Sequence, residues 1–403
     1  MVPLVSIVIP THNRARYAIH AIRSILAIPS SNLEVVVSDT SSDGELAAAI
    51  ADNKNVWAFD PRLNYFNPAM RLDMTGNHNA ALGAAKGEFV CLIGDDDTVV
   101  GDILVAALWA KSNSIDIIAP NVVANYVWPD FRTRLLGDRH ASRLYISREM
   151  GSVKYVDAQT AFNKALKNAA QGTDGLPKIY HGIVRRTLLE KIRKASGQYF
   201  HGSSPDVSGA ISLALCSESF IEVDYPLTIP GASGGSNTGR SAMNTHKGHL
   251  SQESQTKGFE SSGWSLGVPR FFSVETVWAH AALETISLID PNKVSSFNFP
   301  RLIAICQTLH PEYSSQIEQA ILEAVRITEL SPHILRKKIR REKLLFRWDK
   351  LRRFLRRVVK PTAAGGRIFV SNLNTVSAAP DALAQHMLQT GLDWGSVVEN
   401  LRR

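Results

Sequence analysis

The sequence predicts an α/β fold, a mostly parallel sheet flanked by helices, followed by a C-terminal all-α appendage. Continuous apolar runs such as Val5–Pro10 and Leu33–Asp39 have the pattern of strands buried on both faces. Segments with apolar residues at helical spacing separate these runs, and strand and helix keep alternating over the first 125 residues or so. Beyond about residue 260 the strand signals stop and helical spacing alone remains.

Val5–Pro10 reads as the first strand, ended by its proline, and Ala15–Leu26 as the helix that follows. Leu33–Asp39 (LEVVVSD) repeats the strand pattern, Glu45–Ala51 is helical, and Val56–Phe59 reads as a short strand. Met74–Ala85 is a helix broken by Lys86-Gly87, after which come the strand Phe89–Gly94 and a further one at Ile115–Asn121. From about 126 to 260 the pattern loosens, with helices at Asp157–Lys167, Thr187–Lys194 and Val207–Leu215 and a strand at Phe220–Val223. Gly231–Lys257, rich in Gly, Ser, Asn and Thr, is a long polar loop of the kind that is either a functional lid or disordered. Helices follow at Val274–Ser287, Arg301–Thr308 and Ser314–Thr328, then a basic helix stopped by Pro361 and Ala363–Gly366. The chain thus divides into residues 1–260, a helical appendage at 261–333, the basic helix at 334–360 and a tail at 361–403.

Hydrophobic content of 44% and charged content of 20% exclude wholesale disorder. Cys91, Cys216 and Cys306 are odd in number and far apart, so neither a disulfide framework nor a CxxC zinc site is present. The N-terminus opens on an apolar strand without a secretory-type leader, and no run of about eighteen apolar residues occurs. A cytoplasmic protein is expected, peripheral on the inner face of a membrane if something attaches it. The formal charge of +8 is local: Arg336–Lys360 holds thirteen Lys or Arg against two acids, a net of +11, which leaves 8 − 11 = −3 for the rest.

The sharpest chemical signal is Gly94-Asp95-Asp96-Asp97 directly after the apolar strand FVCLI. Three adjacent carboxylates repel one another and add nothing to a core. In an open parallel sheet the carboxyl ends of strands form the ligand crevice, where a hard cation, Mg²⁺ or Mn²⁺, relieves that repulsion and holds a diphosphate. Strand geometry would put Asp95 and Asp97 on one side and Asp96 on the other.

VSIVIPTHNR, VVVSDTSSDG and AAKGEFVCLIGDDD, in this order and at these separations, resemble the family 2 inverting glycosyltransferases with the GT-A fold over roughly residues 1–125. Asn77 in MTGNHNAAL, IYHGIVRR at 179–186 and SPDVSGA at 204–210 resemble a bacterial polysaccharide-type branch of that family. The resemblance implies a nucleotide-sugar donor, with a UDP-sugar favoured, a saccharide or lipid-linked acceptor, and Mn²⁺ or Mg²⁺ as cofactor. It places Pro10 and Thr11 against the nucleobase, Asp39 on the base edge, and Asn77 and Asp96 on the donor side. Asp97 becomes the main metal ligand, with Asp95 nearer the ribose and sharing the metal. Gly94 stands where many members carry another residue. For Asp39 an Asx turn or helix cap is the competing reading, since Ser41, Ser42 and Asp43 follow.

An inverting transfer is a single displacement and needs one base to deprotonate the acceptor hydroxyl. Asp206 is the candidate, in the first turn of a helix that starts after Ser203-Ser204-Pro205; a plain first-turn acid interacting with the helix dipole is the alternative. Arg240 and His246 on the polar loop are expected to close over the leaving diphosphate, unless the loop is simply solvated. His181 and Arg185 or Arg186 are candidates for the acceptor side, with a core histidine as the bland reading of His181.

Leu344, Trp348, Leu351, Leu355 and Val358 form one stripe on the basic helix, with Lys and Arg filling the remaining positions. An anionic membrane surface is the favoured partner, ahead of packing or an oligomer contact, with nucleic acid last. Two other classes share some of these features. A nucleotidyltransferase usually carries a Gly-rich basic loop after its first strand, where this chain has PTHNRARY. A non-catalytic sugar-nucleotide-binding or scaffold protein would have no need of the intact acidic triplet.

Overall fold

A computed structural model describes residues 2–401 apart from 53, 69, 71, 135, 237–246, 254–255, 260–262 and 360–365. Its centre is an eight-stranded sheet built from β1 (Val5–Thr11), β2 (Leu33–Asp39), β3 (Leu63–Phe66), β4 (Phe89–Leu92), β5 (Ile117–Pro120), β6 (Val153–Asp157), β7 (Ile183–Arg185) and β8 (Ser219–Val223). The spatial order is β3-β2-β1-β4-β7-β5-β8-β6. β7 and β6 run against the others, so the sheet is mostly but not wholly parallel. The fold is the α/β class expected, with helices on both faces and a C-terminal helical region.

The continuous apolar runs are explained by two cores. Val5, Ile7, Ile9, Val35 and Cys91 point to a face covered by the helices Ala15–Leu26 and Asp102–Ser112. Val8, Val36, Val90 and Leu92 point to the other, against the helices Met74–Gly83, Ala158–Lys167 and Pro205–Cys216. The helices Val274–Ile289 and Phe299–Leu309 belong to this second core as well, so the expected appendage continues the main body's packing.

Val56–Phe59 is a 3-10 helix and not a strand. Val56 is 80% and Phe59 63% exposed, so the apolar run has no sheet to enter, and a short apolar run suits one helical turn as well as a strand. The strand at that point in the topology is β3, parallel to β2. The tail, expected as a separate piece, returns to the main body. Ile368–Val370 pairs with Arg143–Ile146, and Trp394 packs edge-on against Trp109 with ring centroids 5.8 Å apart.

Candidate active site

β1 and β2 end in register, Thr11 beside Asp39, and the acidic triplet follows β4 next to them. Residues 94–97 form a turn closed by the Asp97 N–H on the Gly94 carbonyl, and this overturns the expectation of alternating sides. All three carboxylates line one cavity of about 650 Å³, together with Pro10, Arg14, His181 and Asp206.

The triplet is buried, and each acid has its own partners. Asp95 accepts from the Thr11 hydroxyl at 2.7 Å and from Arg14 Nε at 2.6 Å. Asp96 forms an ion pair with Arg14 Nη2 at 3.0 Å and accepts from the Ser233 hydroxyl at 2.5 Å. Asp97 accepts from the backbone N–H groups of Gly94 and Gly231, each at 2.6 Å, and faces His181 Nε2 at 3.3 Å. Burial, then the neighbouring Asp95, pushes Asp96 up to about 6; burial, then Asp96, raises Asp97 well above the usual carboxylate range. Burial pulls Arg14 down, but Asp95 and Asp96 more than offset it, so the guanidinium stays charged. Its underside rests on the Tyr17 ring, 4.5 Å from the centroid.

Two glycines allow this close packing. A Cβ on Gly94 would stand 2.7 Å from the Tyr180 hydroxyl and 2.9 Å from Asp97 Oδ2, and one on Gly231 would stand 1.9 Å from the Asp96 carbonyl. Gly94 thus leaves room for both the Tyr180 hydroxyl and the Asp97 carboxylate.

Residues 6–169 match the family model described as glycosyl transferase family 2. The chain carries a glycosyl transferase family 2 domain. It is 34% identical over 112 residues to the GalNAc(5)-diNAcBac-PP-undecaprenol beta-1,3-glucosyltransferase of Campylobacter jejuni, which covers 28% of this chain and 35% of that protein. It is 36% identical over 96 residues to the putative colanic acid biosynthesis glycosyl transferase WcaA of Escherichia coli K12, covering 24% and 33%. The matches thus span about a third of the length of these relatives. Among solved structures, S. aureus TarS 1-349 in complex with UDP-GlcNAc aligns at a TM-score of 0.49 and 15% identity, over 84% of this chain and 89% of that one.

The family match ends before Tyr180, His181, Asp206 and Gly231, so the chain beyond residue 169 supplies a large part of the cavity wall. Asp206 lies in the first turn of the helix Pro205–Cys216, bonded to the Ser204 hydroxyl, and lines the same cavity as the triplet. His78 lines it too; burial brings the imidazole down to about 4, with Met74 O and Asp206 opposing, so it is neutral at physiological pH.

Other expected site residues stand elsewhere. Asp39 is buried, with one oxygen on the Ser41 N–H and the other on the Tyr65 hydroxyl, both at 2.9 Å, the geometry of the Asx-turn reading. Asn77 is a clamp behind the strand ends, accepting from the Ser38 hydroxyl at 2.7 Å and donating to the Thr11 carbonyl at 3.1 Å. Arg185, a candidate for the acceptor side, does not line this cavity. β7 runs antiparallel to β4, so four residues past His181 the chain is roughly 13 Å further along, at the opposite strand end, where Arg185 pairs with Asp116 at 2.6 Å and Glu88 at 3.0 Å. Arg186 donates to the Gly87 carbonyl at 3.0 Å on the same side. Arg240 and His246 lie outside the described residues.

Among the described residues no group of three or more His, Cys, Asp or Glu side chains is arranged to hold a metal ion. Asp97, the expected principal ligand, has one oxygen on the Gly94 N–H of its own turn and the other on the Gly231 N–H. The place between Asp95 and Asp96 does suit a cation, because the Arg14 guanidinium stands in it. Arg14 was not legible in the sequence, since an arginine after a strand has no signature until the fold brings it against the triplet.

Proposed function

We propose that the protein transfers a glycosyl group, with inversion, from a nucleoside-diphosphate sugar to an acceptor hydroxyl in bacterial surface-polysaccharide or glycolipid synthesis. The supporting observation is one cavity with the acidic triplet on one wall and Asp206 on another. In this reading the diphosphate lies against the triplet, with the base toward the ends of β1 and β2. Asp206 takes the proton of the acceptor hydroxyl as the acceptor oxygen bonds to the anomeric carbon, while the bond from that carbon to the diphosphate oxygen breaks and its electron pair leaves on the diphosphate. Asp206 has one oxygen on the Ser204 hydroxyl, which fixes its orientation, and burial makes His78, on the same cavity, a weak base.

Asp95 and Asp96 would hold a divalent cation, Mn²⁺ or Mg²⁺, which when bound supplies charge neutralisation for the leaving diphosphate. A UDP-sugar is the favoured donor, on the resemblance of the base-side motifs. We further assign the helix Pro332–Val359 to docking on an anionic membrane surface, which would bring a lipid-linked acceptor within reach. No helix among the described residues is long and apolar enough to cross a membrane. Incubation with a panel of UDP-, GDP- and dTDP-sugars, read by release of the nucleoside diphosphate with Mn²⁺ and with EDTA, tests the reading. Release from one donor class is expected; release from none with any donor would overturn it.

A further inference from the structure

We propose that Arg14 is the resident cation of the acidic triplet, and that a divalent ion gains Asp95 and Asp96 only when a nucleoside diphosphate draws the guanidinium away. The inference rests on the donor reading above and adds an exchange step that the family motifs do not contain.

The geometry makes Arg14 and a metal ion mutually exclusive at this place. Arg14 Nε is 2.6 Å from Asp95 Oδ1, and Nη2 is 3.0 Å from Asp96 Oδ2. A second cation bridging the same two oxygens would sit at contact distance from the guanidinium, in a buried site where like charges are poorly screened. The guanidinium is also held from other sides. Tyr17 lies under it, the Ser233 hydroxyl accepts from Nη2 at 2.9 Å, and a Cβ on Gly235 would come within 3.1 Å of Nη1. Without a cation Asp95 and Asp96 would face each other in a pocket that exposes only 6% of each residue. Arg14 therefore holds the triplet together and at the same time closes it to metal.

The chain supplies a way to release it. Arg14 lines the same cavity as Pro10 and Gly94–Asp97, so its fork is within the space assigned to the diphosphate. A planar guanidinium binds a phosphate in bidentate fashion at least as well as it binds two separate carboxylates. When the diphosphate takes the guanidinium, Asp95 and Asp96 lose their counter-charge together, and a divalent ion replaces it. Metal and nucleotide binding are then coupled, each strengthening the other by the same factor.

The test is Mn²⁺ binding, followed by loss of the free-ion electron paramagnetic resonance signal, to the full-length protein with and without UDP, and to Arg14→Gln under both conditions. The wild type alone is expected to bind Mn²⁺ weakly and UDP to strengthen that binding. Arg14→Gln alone should bind Mn²⁺ on the order of tenfold to a hundredfold more tightly than the wild type alone, with little further gain from UDP. Equal Mn²⁺ binding by the two proteins without nucleotide, or binding by neither, would overturn the inference. If Arg14→Gln fails to fold, the wild type decides alone: Mn²⁺ bound as tightly without UDP as with it also overturns it. Calorimetric titration with UDP, GDP and dTDP separates the two levels. Binding of one of these together with nucleotide-independent Mn²⁺ binding removes only the role of Arg14, whereas binding of none removes the donor reading and this inference with it.

Discussion

His181 Nε2 lies 3.3 Å from Asp97 Oδ2, and His181 reaches this position with a backbone φ of +64°. Its N–H is bonded to the Leu92 carbonyl at 2.8 Å, so the unusual backbone is pinned to the end of β4. Burial drives the imidazole down to about 3 and, with Asp96, drives the Asp97 carboxyl upward. Asp97 is therefore a structural centre of the site: it joins the turn at Gly94, the loop at Gly231 and the strand end at His181.

From this position Asp97→Ala is expected to cost stability as well as activity. It leaves the N–H groups of Gly94 and Gly231 without their acceptor, each worth about 1–3 kcal/mol when left unsatisfied in a buried place. Urea denaturation followed by circular dichroism measures the loss. An unchanged midpoint in an inactive Asp97→Ala protein would return Asp97 to the role of metal ligand expected from the sequence.

Gly94→Ala places a methyl group 2.7 Å from the Tyr180 hydroxyl, and the neighbours must shift to admit it. Overpacking of this kind costs about 1–3 kcal/mol. Removing the hydroxyl should relieve part of the cost, so the double variant Gly94→Ala/Tyr180→Phe is expected to be less destabilised than the sum of the two single variants. Additive losses in thermal melting would show that Tyr180 is not what requires the glycine.

The sequence made legible those parts of the fold that rest on local pattern. β2 and the helices Ala15–Leu26 and Ser314–Thr328 fall where the apolar spacing puts them, and the triplet stands out because three acids after an apolar strand have no packing purpose. What stayed hidden depends on contacts far apart in the chain. β7 has three residues, too few for any period, yet it enters between β4 and β5 and carries His181 to Asp97. Ser233 meets Arg14 and Asp96 across 219 and 137 residues of chain, and the return of Ile368–Val370 to Arg143–Ile146 is longer-range still. Val56–Phe59 shows the reverse error, where four apolar residues satisfy a local pattern although no strand partner stands beside them.

Asp206→Asn keeps the size of the side chain and an acceptor for the Ser204 hydroxyl but cannot take a proton at neutral pH. Transfer should fall by about 10²–10⁴ in kcat, with the affinity for the donor nucleotide little changed. A collapse of donor affinity in parallel with kcat would make Asp206 a binding or structural group and leave the base to be found elsewhere on the cavity wall.

The helix Pro332–Val359 separates two apolar faces with different fates. Leu335, Ile339 and Phe346 are buried against the protein, and this side packs the helix onto it. Leu344, Trp348, Leu351 and Leu355 are 67%, 59%, 46% and 51% exposed, so the stripe does not serve packing within the chain. Exposed Lys337, Lys338, Arg340, Arg341, Arg347, Lys350 and Arg352 share the free surface with it. Its 28 residues span about 42 Å at 1.5 Å per residue, enough to lie along a surface. Apolar side chains standing among cations suit the boundary of an anionic bilayer, where each basic residue near the surface contributes roughly 1 kcal/mol and the stripe enters the acyl boundary. Co-sedimentation with vesicles containing phosphatidylglycerol is therefore expected to exceed that with phosphatidylcholine alone, and to weaken as salt shortens the screening length below about 8–10 Å. Leu344→Ser/Trp348→Ser should weaken binding through the apolar part, and Lys350→Glu/Arg352→Glu through the charged part. Nucleotide-sugar turnover on a soluble acceptor should persist in both, because none of these four residues lines the Asp95–Asp206 cavity. Equal sedimentation with both vesicle types, or a dimer in solution that Trp348→Ser dissociates, would instead make the stripe a contact between copies of the chain.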